Sequence, residues 1–307
     1  MKISAIVCTL NRVELALRCV AGLRNQTLPE ADFEILVVDN GSSDGTKERL
    51  RSEFGSLPGL RILDEPRPGL ARARNTGWRA ARGGILAFLD DDAVPDPNWL
   101  ESIVRVFETA TPRPGIVGGR VLPRWETPLP RWVPSSVVVF LTILDWGSEA
   151  RVVPEGQFVL GCNLAVSQEA LAAAGGFNET LGRRGNKLLS WEDVELQEAV
   201  RAAGYSSRYE PAATVHHLIP AERLTRRWMR KRVYWEGVSL GRRHAVDLGP
   251  FSPRRLLLAA RPLVGLLVLP GDWFALVSDG GQPQRFMGAC RTMRRMGHLA
   301  GLFGLSR

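Results

Sequence analysis

Ile85-Leu86-Ala87-Phe88-Leu89-Asp90-Asp91-Asp92 runs from an unbroken apolar segment straight into three carboxylates. The apolar part reads as a buried parallel strand, which would deliver its end into a crevice. Three adjacent carboxylates repel one another and are costly to desolvate. A chain that gathers them at a strand end usually has a cation to put between them. Hard divalent ions such as magnesium or manganese take oxygen ligands, typically one or two carboxylates plus substrate phosphates. The plain alternative is a solvated acidic loop that closes the strand.

The flanking sequence extends the pattern. Apolar stretches at 3–8, 34–39, 60–63 and 85–90 read as strands, and stretches at 13–25, 44–53, 71–82 and 98–109 as helices. This alternation predicts an α/β domain with a Rossmann-like, mostly parallel sheet flanked by helices. Ligands of such sheets bind at the carboxyl ends of the strands. Thr9 and Asn11, Asp39 and Asn40, and the three aspartates all fall at predicted strand ends. Each alone could be a cap or turn residue; their convergence from separate strands is the informative part. Residues 111–156, rich in proline and tryptophan, read as irregular, and 157–211 as a second ordered block.

The 307 residues allow one large domain, or one domain and an appendage. A hydrophobic share of 45% and a charged share of 23% are those of an ordinary globular protein. Cys8, Cys19, Cys162 and Cys290 lack paired metal-ligand spacing, so neither a zinc site nor a disulfide framework is expected, and a reducing compartment fits. The apolar segment near the N-terminus is short and β-branched, a first strand rather than a signal peptide. No apolar run reaches the roughly 18 residues of a spanning helix. Charge is uneven: residues 1–222 hold 24 Lys and Arg against 28 Asp and Glu, and residues 223–307 hold 16 against 4. Such asymmetry points to a polyanionic partner, a membrane surface or nucleic acid.

Two turns carry further chemistry. In Val37-Val38-Asp39-Asn40-Gly41-Ser42-Ser43-Asp44-Gly45-Thr46, Asp39 could accept hydrogen bonds from a ligand, while Ser42 or Asp44 could cap the next helix. In Gly69-Leu70-Ala71-Arg72-Ala73-Arg74-Asn75-Thr76-Gly77, two arginines lie near a helix N-terminus, where the dipole disfavours cations. A bound anion such as a diphosphate would account for them, as would plain solvation.

Taken in order, these segments resemble the family-2 inverting glycosyltransferases of GT-A fold. The resemblance rests on Ser4-Ala5-Ile6-Val7-Cys8-Thr9-Leu10-Asn11-Arg12, on the two turns above and on Phe88-Leu89-Asp90-Asp91-Asp92. It continues through Gly161-Cys162-Asn163-Leu164-Ala165-Val166, Gly175-Gly176-Phe177-Asn178-Glu179 and Trp191-Glu192-Asp193-Val194-Glu195-Leu196, and covers about residues 1–245. It implies a nucleoside-diphosphate sugar donor, a UDP-sugar first, held by Thr9, Asn11, Arg12, Asp39, Arg74, Asp90 and Asp91. It also implies a Mg2+ or Mn2+ ion on Asp92, with Asp90 as second contact and His217 as a third ligand of the kind found in some relatives. On the acceptor side it implies Asn163, Trp191 and Glu192, with Asp193 as general base. From spacing alone, Ser190-Trp191-Glu192-Asp193 reads instead as a Ser-x-x-acid helix cap. Cys162 is expected to pack near the acceptor without chemistry. The implied architecture is a catalytic domain at 1–222, with a nucleotide-sugar half at 1–110 and an acceptor half at 111–222, and a basic helical region at 223–307.

Residues 223–245 interleave arginines with Trp228, Tyr234 and Trp235, which suits an anionic membrane interface more than nucleic acid. The apolar run at 256–269 is broken by Arg261-Pro262, too short to span, and could lie in the interface; a helical subdomain packed on itself is the alternative. Processive relatives carry Gln-x-x-Arg-Trp; Leu224-Thr225-Arg226-Arg227-Trp228 lacks the glutamine, which implies transfer of one sugar to a lipid-linked or glycan acceptor. The expected location is the cytoplasmic face of the membrane, peripherally bound. The rival readings are a nucleotidyltransferase and a degenerate, non-catalytic scaffold. A dehydrogenase is disfavoured, because no Gly-x-Gly-x-x-Gly follows the first strand.

Overall fold

A computed structural model of the chain describes residues 1–305 apart from Asn186, Asp247, Pro250, Phe251, Leu269 and 278–281. Leu269, the last residue of the predicted apolar run, therefore lies outside the described residues. The chain divides into two compact units: Met1–Arg124, Thr142–Gly185 and Glu192–Leu218 form the first, and Trp125–Leu141, Asn186–Trp191 and Ile219–Arg307 the second. The second unit thus takes in two short segments from upstream of residue 219.

The first unit holds β1 (Ile3–Thr9), α1 (Val13–Arg24), β2 (Phe33–Asp39), α2 (Thr46–Phe54), β3 (Leu60–Asp64), α3 (Leu70–Ala80), β4 (Ile85–Asp90), β5 (Ala93–Pro95) and α4 (Trp99–Thr109). β6 (Ile116–Trp125), β7 (Arg151–Val152), β8 (Asn163–Ser167), α5 (Gln168–Ala173), α6 (Glu192–Ala202) and β9 (Ser207–Ile219) follow, the last residues of β6 and β9 counting with the second unit. The predicted α/β order holds, with boundaries shifted by a few residues. The sheet runs β3-β2-β1-β4-β8-β6-β9-β5, with β7 paired to β9. β3, β2, β1 and β4 are parallel, whereas β8 joins β4 antiparallel and β5 joins β9 antiparallel. The apolar residues of β1, β2 and β4 are buried nearly throughout, as strands covered on both faces require.

Register then positions the site. Thr9 lies opposite Asp39, Asp39 opposite Asp64, and Cys8 opposite Asp90, so the polar strand ends line one edge. β8 begins opposite Leu89, which carries Gly161 and Cys162 to the same edge. Ala93 pairs with His217, so the histidine of β9 meets the end of the aspartate triplet. The region at 111–156 contains the ten-residue strand β6, which the sequence did not suggest. Gly118 and Gly119 weaken its strand signal, yet Ile116, Val117 and Val121 are wholly buried.

The second unit is helical: α7 (Arg226–Ala245), α8 (Pro253–Val268), α9 (Pro270–Val277) and α10 (Pro283–Leu302). Its basic and aromatic residues are largely packed together. Arg226 stacks 5.0 Å from the centre of Trp132, Arg230 5.7 Å from Phe286 and Arg232 5.6 Å from Phe140. α7 buries Met229, Val233 and Val238, so this segment is a packed helix of the unit. Gly237 and Gly241 on α7 face Gly297 and Gly301 on α10 at backbone contact: a Cβ at Gly297 would overlap the Tyr234 carbonyl. Gly297→Val is therefore expected to destabilise the unit by about 1–3 kcal/mol through overpacking. Chemical denaturation monitored by tryptophan fluorescence checks this, and an unchanged midpoint would contradict the close helix contact. Among the described residues no helix is long and apolar enough to cross a membrane.

Candidate active site

The aspartate triplet is not a solvated loop. Asp91 and Asp92 are buried, and only Asp90 is about a third exposed. Asp91 accepts from the Thr9 hydroxyl at 2.8 Å and from Arg12 Nη1 at 2.9 Å. The same Arg12 nitrogen reaches Asp92 Oδ2 at 3.2 Å. Burial pushes the Asp91 carboxyl up to about 6, against the opposing pull of Arg12. One cation thus serves two of the three carboxylates, and the third has its own.

That second cation is Arg74, in α3. It is 3% exposed, and its Nη2 donates to Asp90 Oδ1 at 3.0 Å and to the Gly161 carbonyl at 3.2 Å. Its Nη1 donates to Glu192 Oε1 at 3.1 Å, and its guanidinium lies 5.4 Å from the centre of the Phe177 ring. Arg72 pairs with Glu179 at 3.4 Å. The charges that offset the α3 dipole are therefore the protein's own carboxylates, and neither arginine is simply solvated. Arg74 links the end of β4 to the start of α6 across more than a hundred residues of sequence.

Asp193 sits in the first turn of α6 and is partly exposed. Its Oδ2 accepts from the Gly161 amide at 2.9 Å and its Oδ1 from the Val194 amide at 2.9 Å. These two bonds fix the carboxylate and leave lone pairs on both oxygens. Ser190 does not act as the cap its spacing suggested, because its hydroxyl bonds Glu236 at 2.9 Å within the second unit. Burial raises the Asp193 carboxyl above the usual range, opposed by Arg74 and the two amides. Glu192, buried beside it, is pushed up to about 7 by burial and by the Asp193 charge. Its Oε2 has no hydrogen-bond partner among the described residues.

At the other end of the triplet, His217 is wholly buried and places Nε2 3.3 Å from Asp92 Oδ1. A carboxylate and an imidazole converging at a strand end suit a divalent ion whose remaining sphere comes from diphosphate oxygens and water. Among the described residues no group of three or more His, Cys, Asp or Glu side chains is gathered in ligating geometry. Asp90 faces Arg74, and Asp92 with His217 is the pair that fits. His216 instead bonds Asp96 at 3.0 Å.

Several residues expected to face donor or acceptor make hydrogen bonds within the protein. Asn163, expected on the acceptor side, is buried and fully engaged: it accepts from Trp99 Nε1 at 2.8 Å and donates to the Arg120 and Ala213 carbonyls. Its place is structural, because no polar atom of its side chain is left over. The Thr9 hydroxyl is committed to Asp91 and Asn11 ties two loops together. The Asn11 amide donates to Ser42 Oγ at 2.9 Å, and its Oδ1 accepts from the Ser43 amide at 2.7 Å. Asp39 is buried and accepts from the Ser42 amide at 3.1 Å. Trp191 belongs to the second unit, where its indole donates to Glu236 at 2.6 Å. Cys162 is buried and its thiol is pushed up by burial, as expected of a packing residue.

The sequence marked Asn40 only as a strand-end residue and Gly161 only as part of a motif, without a role for either. Asn40 braces the loop from β3 to α3, donating to the Glu65 and Arg67 carbonyls and accepting from the Gly69 amide. Gly161 holds both Asp193 and Arg74, and a Cβ there would lie 2.9 Å from Asp193 Oδ2. Gly161→Ala should displace that carboxylate, and displacement by ~1 Å can cost about 10²-fold in rate. Steady-state turnover is expected to fall in kcat with little change in nucleotide affinity; unchanged kcat would show that Asp193 need not be held there.

Comparison with known proteins agrees with this architecture. The family model for glycosyl transferase family 2 matches residues 4–166. The chain is 27% identical over 244 residues to glucosyl-dolichyl phosphate glucuronosyltransferase of Haloferax volcanii, spanning 78% of this chain and 76% of that one. It is 33% identical over 208 residues to glycosyltransferase AglE of the same organism, spanning 66% and 62%. It is 30% identical over 242 residues to succinoglycan biosynthesis protein ExoM of Rhizobium meliloti, spanning 77% and 73%. Mannosyltransferase PcManGT from Pyrobaculum calidifontis, solved with GDP-Man and Mn2+, superposes with a TM-score of 0.65 at 21% identity, covering 99% of this chain and 87% of that one. S. aureus TarS, solved with UDP, gives 0.54 at 14% identity, covering 98% and 91%. At such identities the structural likeness speaks to the fold alone, and that fold is GT-A, as the sequence led one to expect.

Proposed function

The chain belongs to glycosyl transferase family 2, and from that premise we propose that it moves a single sugar from a nucleoside-diphosphate sugar to a hydroxyl of a lipid-linked or glycan acceptor, inverting the anomeric carbon. The observation that carries this reading is the carboxylate of Asp193, partly exposed and held by two amides, one of them that of Gly161, whose carbonyl binds the Arg74 that also holds Asp90 at the end of β4. In the proposed step the acceptor oxygen gives its proton to Asp193 while it forms a bond to the anomeric carbon. The bond from that carbon to the diphosphate breaks, and its electron pair leaves with the nucleoside diphosphate. Asp193 needs no nucleophilic role, because one displacement completes the transfer.

Asp92 and His217 would hold a Mg2+ or Mn2+ ion, whose chemistry there is to neutralise the charge of the departing diphosphate. Arg12 holds Asp91 and Asp92 together, which limits the repulsion in the triplet. A UDP-sugar is the first donor to test, with GDP-mannose beside it, since the two structural neighbours hold UDP and GDP-Man. A lipid-linked acceptor draws support from the dolichyl phosphate in the name of one relative. It goes with a peripheral place on the cytoplasmic membrane face. Incubation with a panel of nucleotide sugars and manganese tests the reading: release of nucleoside diphosphate supports sugar transfer, release of pyrophosphate would make the chain a nucleotidyltransferase, and no turnover of any donor would favour a scaffold.

The pH profile is a further expected result. A general base works only when deprotonated, and both Asp193 and Glu192 have raised pKa values. Activity should therefore rise with pH along a limb lying above the usual carboxylate range, with apparent values that belong to the pair. A kcat/KM profile flat down to pH ~4, the ordinary range of free carboxylates, would contradict the assignment.

A further inference from the structure

α8 is inside out for a helix in water. Its small and shielded residues face the unit: Ala259 and Pro262 are buried, and the Gly265 carbonyl accepts from Arg295 Nη1 at 3.0 Å. Arg255 donates to the Ala245 carbonyl at 2.9 Å and the Trp273 indole to the Leu266 carbonyl at 2.6 Å, which sets the rotation of the helix. Its large apolar side chains point the other way. Leu256, Leu257, Leu263, Val264, Leu267 and Val268 are all exposed, Leu257 at 74% and Leu267 at 80%. These positions recur at helical spacing, so they form one stripe. Single exposed leucines need no explanation, but a contiguous stripe marks a contact surface.

We propose that this stripe lies in the headgroup region of an anionic lipid bilayer, with α8 parallel to the membrane plane. Charge selects this occupant. Residues 223–307 carry 16 Lys and Arg against 4 Asp and Glu, and Arg254 and Arg261 are exposed on α8 itself. Arg226, Arg227, Arg230 and Lys231 line an open cavity elsewhere in the same unit. A second copy of so basic a unit would meet like charge, whereas anionic headgroups complement it. Trp273, 41% exposed in α9, has the amphipathic ring that favours headgroup depth. α8 is 16 residues long and carries Arg261 and Pro262 at its middle, so it can lie on a membrane but is too short to cross one. The inference deepens the reading of a lipid-linked acceptor, and the two fail separately: donor turnover reports on the catalytic site, flotation on the helix.

The test is co-flotation of the full chain with phosphatidylcholine vesicles, with and without phosphatidylglycerol. The intact chain should float with the anionic vesicles and much less with neutral ones. Leu257→Asp with Leu267→Asp should lower the bound fraction by about tenfold or more, since each leucine contributes through its buried area. Because both side chains are exposed, the melting temperature and donor turnover should be unchanged. Arg254→Gln with Arg261→Gln should weaken binding to anionic vesicles only. Failure of the intact chain to float, or equal flotation of the double-aspartate variant, would overturn the proposal. So would a dimer in sedimentation that this variant dissociates without any flotation, because a second copy would then cover the stripe.

Discussion

Asp193→Asn is expected to lower kcat by about 10²–10⁴-fold, the usual contribution of a positioned general base. The substitution keeps the shape of the side chain and one acceptor oxygen, so the Gly161 amide can still be satisfied. What it removes is the ability to take a proton from the acceptor, together with the acceptor oxygen for the Val194 amide. Donor affinity should change little, because no donor contact is assigned to this residue. A KM-against-kcat comparison, with nucleotide binding by calorimetry alongside, separates this from general damage. A merely structural Asp193, serving α6 as a first-turn acid, would instead lower thermal stability by a few tenths to 1 kcal/mol and leave turnover near that of the parent chain.

Asp92→Ala should be as severe, by a different route. Metal-assisted departure of a diphosphate is worth several kcal/mol, and each 1.36 kcal/mol is tenfold in rate, so a loss of about 10³-fold is expected. The same variant should lose the stabilisation that manganese and a nucleoside diphosphate give to the parent chain in thermal melts. His217→Ala should show a smaller loss of the same kind, with a steeper dependence on metal concentration. Retained manganese-dependent stabilisation in Asp92→Ala would move the ion elsewhere. If Asp92 instead matters only as a partner of Arg12, then Arg12→Gln should reproduce the whole defect.

How much of this could be read from the chain depends on distance along it. The parallel half of the sheet was legible because each strand is a short apolar run that ends in a polar turn, and register then forces Thr9, Asp39 and Asp90 to one edge. The Asp92–His217 pair was legible only through resemblance, since the strands that join them are far apart in sequence. β6 was hidden by its glycines. Local patterns misled at Ser190, whose Ser-x-x-acid spacing reads as a cap although its hydroxyl serves Glu236. They also misled at Asn163, because a polar residue in a recognised motif gives no sign that its hydrogen bonds close within the core. The Arg74 network joins residues 74, 90, 161 and 192, and spacing carries no trace of it. α8 shows the same limit from the other side. Its apolar run is plain in the sequence, but which face points outward depends on where α10 and Arg295 hold it.

The central claim is a single displacement assisted by Asp193, and the configuration of the product tests it most directly. With the donor that the nucleotide-sugar panel identifies, proton NMR of the new glycosidic linkage should show the anomeric configuration opposite to that of the donor. A product that keeps the donor's configuration would contradict the account, because retention requires either a second displacement or a front-face transfer that a base at Asp193 does not provide.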